Sequence, residues 1–188
     1  VSSMNGGLII PTFTNTKSVS FDGVDEYLQL NVISELIGVT NASVTCWVKD
    51  IDNKVGNAMF WEQRYAANYV FTFRYDGADS KLKIQLRNGV ISDYTSGVVS
   101  VSGWHKFDIV LDCSLASASR VKLYLDGVDT ALVYTGTAPS TTQPNSSNFR
   151  VGRNSGGNYL NGKIDEFAIF DYSLSASEVT AQYNSGCP

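Results

Sequence analysis

Several of the residues and patterns that usually announce a protein's chemistry are scarce in this sequence. There are three cysteines in 188 residues, Cys46, Cys113 and Cys187, an odd count without a Cys-x-x-Cys pair. Neither a zinc site nor a closed disulfide framework is read from them. Cys46 and Cys113 lie in strand-like runs and pair only if the fold brings them close. Cys187 belongs to a loose terminal "NSGCP". A single histidine, His105, and the lack of a G-x-S-x-G elbow leave a nucleophilic triad without its parts. No apolar run approaches the roughly 20 residues that cross a bilayer, so no membrane insertion is expected. The 14 Lys and Arg are scattered among 18 Asp and Glu, a formal charge of -4. That distribution lacks the clustered cationic footprint that nucleic acid requires. The opening "VSSMNGGLIIPTF" has no basic stretch and too short an apolar run for a signal peptide. It reads as the edge of a single domain, residues 1–188, taken from a longer or processed protein.

What the chain does have is a two-residue rhythm. "SVSF", "YLQL", "SVTCWVKD", "AMFWEQR", "YVFTFRY", "KLKIQLR", "WHKFDIVL", "VKLYLDG", "TALVY", "FRVGR" and "GKIDEFAIF" alternate apolar with polar residues between turn signals. Asp76-Gly77, Asn88-Gly89, Asp126-Gly127 and Asn161-Gly162 are pairs that tolerate the positive φ of tight hairpins. Neighbouring runs are therefore expected to pair antiparallel. In "KLKIQLR" the alternation assigns Leu82, Ile84 and Leu86 to a buried face and Lys81, Lys83, Gln85 and Arg87 to the other. The polar stretch 135–148 reads as a solvated connection. One helix is expected near the end, where Ser175 and Glu178 form an S-x-x-E capping box. Leu174 and Val179 match its hydrophobic staple, and the helix should run to about Tyr183. The fold class is all-β, a two-sheet antiparallel sandwich with one short C-terminal helix.

Four motifs in order, "SVSFDGVDEYLQL", "SVTCWVKD", "GWHKFDIVLD" with "VKLYLDGVD", and "NGKIDEFAIFDYSLSASEVTAQYNSG", cover nearly the whole chain. In that order they resemble the laminin G-like domain of the concanavalin A-like lectin/glucanase superfamily. The resemblance implies a jelly roll carried in larger extracellular, cell-surface or virion (phage structural) proteins, and a role in binding glycans or other proteins. It also implies one structural Ca²⁺ held between an early loop and a late strand. The matching positions are Asp22, Gly23 through its carbonyl, Asp25 and Asp165. Calcium takes about 6 to 8 hard oxygens, and an Asp-Gly-x-Asp loop offers carboxylates and carbonyls together. The alternative is that Asp22 makes an Asx turn and Asp165 bonds local amides.

Catalysis finds little support. Jelly-roll glycosidases need two carboxylates facing each other roughly 5 to 9.5 Å apart, and no run of alternating acids exists here. Asp165 and Glu166 are adjacent and should point to opposite faces of a strand. Asp50 and Asp52 alternate, but at a strand end. His105 reads as packed or hydrogen-bonded. Sugar recognition needs aromatic platforms and planar polar groups on an open face. If Phe60 is buried, alternation turns Trp61 and Gln63 outward, and likewise Thr72 and Arg74 on the next strand, with Lys83 and Gln85 beside them. Tyr65, Tyr69 and Tyr159 would add rim contacts. Trp47 and Trp104 are assigned to packing. The resulting expectation is a non-catalytic recognition module directed at glycans. A structural or adhesive module contacting other protein chains is the alternative.

Overall fold

The computed structural model describes residues 17–51, 56–66 and 68–186. Cys187 and Asp52 lie outside them. In chain order the strands are β1 Val19–Asp22, β2 Leu28–Leu30, β3 Asn41–Lys49, β4 Asn57–Tyr65, β5 Asn68–Asp76, β6 Lys81–Asn88 and β7 Val90–Val98. They continue as β8 Trp104–Asp112, β9 Val121–Leu125, β10 Val128–Thr130, β11 Leu132–Gly136, β12 Asn148–Val151 and β13 Asn161–Phe170, and helix α1, Ala176–Asn184, closes the chain. Every pairing is antiparallel. One sheet has the order β1-β13-β3-β8-β9-β10 and the other β11-β7-β6-β5-β4-β12-β2. This is a two-layer jelly roll.

The alternation places one continuous core between the layers. Val44, Cys46, Val48, Phe107, Ile109 and Leu111 face it from the six-stranded sheet; Phe71, Phe73, Leu82, Ile84 and Leu86 face it from the seven-stranded one. Phe60 stacks on Phe107 at 5.5 Å across the layers. Burying side chains of this size stabilises by roughly 1.5–3 kcal/mol each before entropy is counted. Cys46 and Cys113 are buried free thiols. Burial pushes both thiols above their ordinary values.

Two expectations need correction, and one strand has no counterpart in the sequence rhythm. Strand β7 was not marked by hydrophobic rhythm, because its inward positions are Ser92, Tyr94 and Ser96. The two serines are tied into the ladder: Leu82 N–H donates to Ser96 Oγ at 2.9 Å, and Ser92 Oγ donates to the Leu86 carbonyl at 3.3 Å. Asn161-Gly162 is not a hairpin turn but the first two residues of β13, paired with Asp22 and Phe21. The connection after β11 is pinned rather than solvated. Arg120 donates to the Ala138 and Pro139 carbonyls, Asn88 to Thr141 and Thr142, and fully buried Thr142 accepts from the Val39 amide. Asp126-Gly127 does form the expected turn, with φ of 53° and 77°.

The helix takes its place on the outer face of the six-stranded sheet. The Ser175–Glu178 capping box is complete, and Leu174 and Val179 pack with Val110, Tyr124 and Phe170. Tyr183 stacks on Trp47 at 5.7 Å. Beneath this roof lies a buried ion pair, Lys106 with Asp108, to which Gln182 also bonds.

Candidate functional site: an open polar groove on the seven-stranded sheet

Among the described residues no helix covers the outer face of the seven-stranded sheet. Cross-strand register sets a row of side chains across it: Gln29, Arg150, Glu62, Thr72, Gln85, Asp93 and Thr135. Most of the row is linked. Arg150 donates to Gln29 Oε1 and to Glu62 Oε1, both at 3.1 Å, and Gln85 donates to Asp93 at 2.9 Å. The row is interrupted at Thr72, whose buried Oγ1 has no hydrogen-bond partner. Glu62 is fully buried beneath the segment after β12, and desolvation pushes its carboxyl above the ordinary range against the opposing pull of Arg64 and Arg150.

A cavity of about 240 Å³ opens at that interruption, lined by Asn57, Met59, Tyr69, Thr72, Arg74, Gln85, Asn154 and Asn158. Two of these come from the turn after β12. Gly152, at φ 84°, starts that turn, and a Cβ there would fall 2.5 Å from the Phe21 ring, so only glycine fits. Asn154 Oδ1 then accepts from the Asn158 backbone amide at 2.9 Å, fixing the Asn154 side chain beside the groove. Tyr69 stands at the rim with its hydroxyl 3.4 Å from Ser155 Oγ. Arg64 lies over its ring at 5.5 Å. A second aromatic group flanks the site: Arg153 sits 4.7 Å from the Tyr27 ring and 5.0 Å from that of Tyr159.

Of the residues expected to touch a ligand, Arg74, Gln85 and Tyr69 come together here. Tyr159 stands apart from the cavity, beside Tyr27. Tyr65 is exposed at the end of β4, outside the groove. Trp61 and Gln63 are corrections, for both are fully buried. A bulge between Met59 and Trp61 slips β4 by one residue against β5, so Phe60 and Trp61 both enter the core. Beyond the slip Gln63 points inward, donating to the Leu36 carbonyl at 3.2 Å, and Glu62 points outward. Asn57, Asn154, Asn158, Glu62 and Arg150 join the groove and its row without a motif of their own in the sequence. The "RNSGGNYL" stretch carried the only signal, an amide-rich turn beside a tyrosine.

The residues expected to hold calcium do not fit one site. Asp22 pairs with Asn161 while Val19 pairs with Ile164, which places Asp165 one row beyond Val19. Four rows at about 3.3 Å each separate Asp22 from Asp165 by about 13 Å, whereas ligands to one Ca²⁺ lie about 2.3–2.6 Å from it. Asp22 instead caps its turn, accepting from the Val24 amide at 2.7 Å and the Asp25 amide at 3.3 Å. Those amides lower its carboxyl below the usual value. Gly23 supplies a φ of 78° to the same turn, and Asp25 is exposed. Asp165 accepts from the Glu166 amide at 2.7 Å. Among the described residues no three acidic, cysteine or histidine side chains gather as metal ligands. Alternation also fails at Asp165 and Glu166, because a bulge with Glu166 at φ 46° turns both toward the slot between β1 and β2. His105 is hydrogen-bonded to Asp126 at 2.7 Å and to the Ser102 carbonyl at 3.0 Å.

A two-layer antiparallel jelly roll with one roofed and one open polar face defines a sandwich of concanavalin A type. The chain belongs to the concanavalin A-like lectin/glucanases superfamily, whose laminin G-type family model matches residues 22–180. No curated protein matches it in sequence. Among solved structures, the native heptameric SAP-like pentraxin from Limulus polyphemus superposes with a TM-score of 0.63 at 11% identity, over 87% of this chain and 79% of that one. A Trypanosoma rangeli sialidase gives 0.64 at 14% identity over 88% of this chain. The binding domain of botulinum neurotoxin DC, solved with rat synaptotagmin II, gives 0.62 at 13% over 85%. This chain spans 27% of that sialidase and 40% of that toxin chain. Among the described residues no helix is long and apolar enough to cross a membrane.

Proposed function

We propose that the protein is a non-catalytic recognition module that binds carbohydrate in the groove on the seven-stranded sheet. The observation that carries this reading is the pair of unpartnered buried acceptors facing it, Asn57 Oδ1 and Thr72 Oγ1. A buried polar atom left unpaired costs about 1–3 kcal/mol, and a sugar hydroxyl donating into the groove would remove that cost. Tyr69 offers a ring and Gln85, Asn154 and Asn158 planar amides of the kind that hold pyranose hydroxyls. At 240 Å³ the cavity is smaller than the roughly 300–1,000 Å³ of drug-sized pockets, which fits one sugar unit or a chain end. Binding on a glycan array, lost in the Asn57→Ala/Thr72→Val variant with the melting temperature retained, is the expected result. Silence of the wild-type protein across the array would remove the proposal.

A second reading has its own observation. Val19, Leu28 and Leu30 are exposed at an apolar slot of about 290 Å³ between edge strands β1 and β2, and Val24 and Val32 are exposed in the segments adjoining β1 and β2. Contact with another protein chain would cover them, as expected of an adhesive or virion module. Light scattering separates the two: a stable oligomer broken by Leu28→Asp, without glycan binding, favours this second reading.

A further inference from the structure

Resting on the glycan reading above, the groove carries a clue to the kind of sugar. Charged side chains around it are matched, with one exception. Lys83 reaches Asp76 at 2.7 Å and Asp79 at 3.1 Å, Arg150 holds Glu62, and Gln85 holds Asp93. Arg74 is half-buried between Met59 and Lys83 in the neighbouring row and lines the cavity. Its guanidinium has neither an ion pair nor a side-chain hydrogen bond among the described residues. Arg74 acts on the Asp76 carboxyl, which is lowered chiefly by the hydrogen bond it accepts from Lys83 and only last by Arg74. A guanidinium presents a planar fork of donors matched to a carboxylate, and beside it Asn57 Oδ1 and Thr72 Oγ1 are free to accept hydroxyl protons. One unspent cationic fork next to two unspent acceptors is the complement of a ring bearing one carboxylate and adjacent hydroxyls.

We propose that the groove selects a carboxylated sugar, of the uronate or sialate class, with Arg74 holding the carboxylate. Asp76 and Asp79 are both ion-paired to Lys83, and neither is bonded to Arg74. Asp93 is turned away by its bond to Gln85. Binding should therefore weaken as salt rises, although the net charge of the protein is negative.

The test uses immobilised glycans ending in galacturonate, glucuronate or sialate, each beside its carboxyl-reduced neutral counterpart and a sulfated one. Wild type, Arg74→Lys and Arg74→Gln are compared, each first shown to melt as wild type does. Expected is preference for the carboxylated member, a loss of about tenfold or more in Arg74→Gln, and an intermediate loss in Arg74→Lys, which keeps charge without the fork. Equal binding of the neutral counterparts, or carboxylate binding untouched by Arg74→Gln, would overturn the assignment and leave the glycan reading standing. Retention of sulfated members alone would overturn the carboxylate. Silence on every glycan would remove both.

Discussion

The two outer faces of the sandwich are built on the same alternation yet treated differently. On the six-stranded sheet outward residues of β3, β8 and β9 are covered by α1, and Lys106 and Asp108 are closed in beneath it as an ion pair through Asp108 Oδ1, with Asp108 Oδ2 left without a partner. On the seven-stranded sheet the outward residues form a polar row that is linked at its ends and open at Thr72. Both faces hold buried atoms without a partner, but those of the first lie under the helix, whereas Asn57 and Thr72 of the second line an open groove. Mutations on the first should act on stability, and mutations on the second on binding.

The largest contrast is expected at Lys106. Lys106→Met strips the counter-charge from an Asp108 that has no solvent exposure, and urea denaturation should show a loss of about 3–5 kcal/mol. Lys106→Met/Asp108→Leu should recover most of it, because an apolar pair needs no partner. Ser175→Ala removes the cap that fixes the roof helix and should cost about 1 kcal/mol. A loss near zero would mean that α1 is held by Val179 and Tyr183 alone.

Acid should reveal one carboxyl on each face. Burial raises both Asp108 and Glu62 above the ordinary range, so the native state keeps its proton more readily than the unfolded chain. Between about pH 4 and those elevated values, stability then falls as pH rises. Asp76 has the opposite sign: its lowered carboxyl contributes above the ordinary range, and that contribution is lost as pH falls through its folded value. Urea midpoints from pH 4 to 7 should decline, and Glu62→Gln should flatten the part due to the open face. A rising profile would mean that the charged forms are the favoured ones.

Smaller still, Arg74→Gln should change stability by no more than about 0.5 kcal/mol while weakening glycan binding. A large loss of stability there would make the groove part of the scaffold and erase the contrast between faces. Finally, Ca²⁺ or EDTA should leave the melting temperature unchanged. A rise with Ca²⁺ that Asp22→Asn abolishes would give the 22–26 turn an ion of its own, held without Asp165.

Much of the fold was legible because apolar alternation, Asp-Gly turns and a capping box are local signals. Leu82, Ile84 and Leu86 went inside, and the helix began at its capping serine. What stayed hidden depended on pairing. The bulge before Trp61 shifts one residue and reverses everything beyond it, exchanging Glu62 for Trp61 and Gln63 on the outer face. Strand β7 is inward-facing through serines whose hydroxyls bond the ladder, which no hydrophobic pattern records. The distance from Asp22 to Asp165 is likewise a matter of register, since two acids at the ends of one short ladder look like neighbours until the rows are aligned. Arg74, Gln85 and Tyr69 were legible because β5 and β6 run without a slip between them. Asn154 and Asn158 needed the turn that Gly152 starts.

The two buried thiols carry a practical consequence. Cys46 and Cys113 sit reduced within the packed layers, shielded from oxidants and from each other. Among the described residues, cohesion between the sheets thus comes from shape and apolar contact instead of a sulfur cross-link. A reductant should therefore leave the unfolding midpoint of the sandwich unchanged.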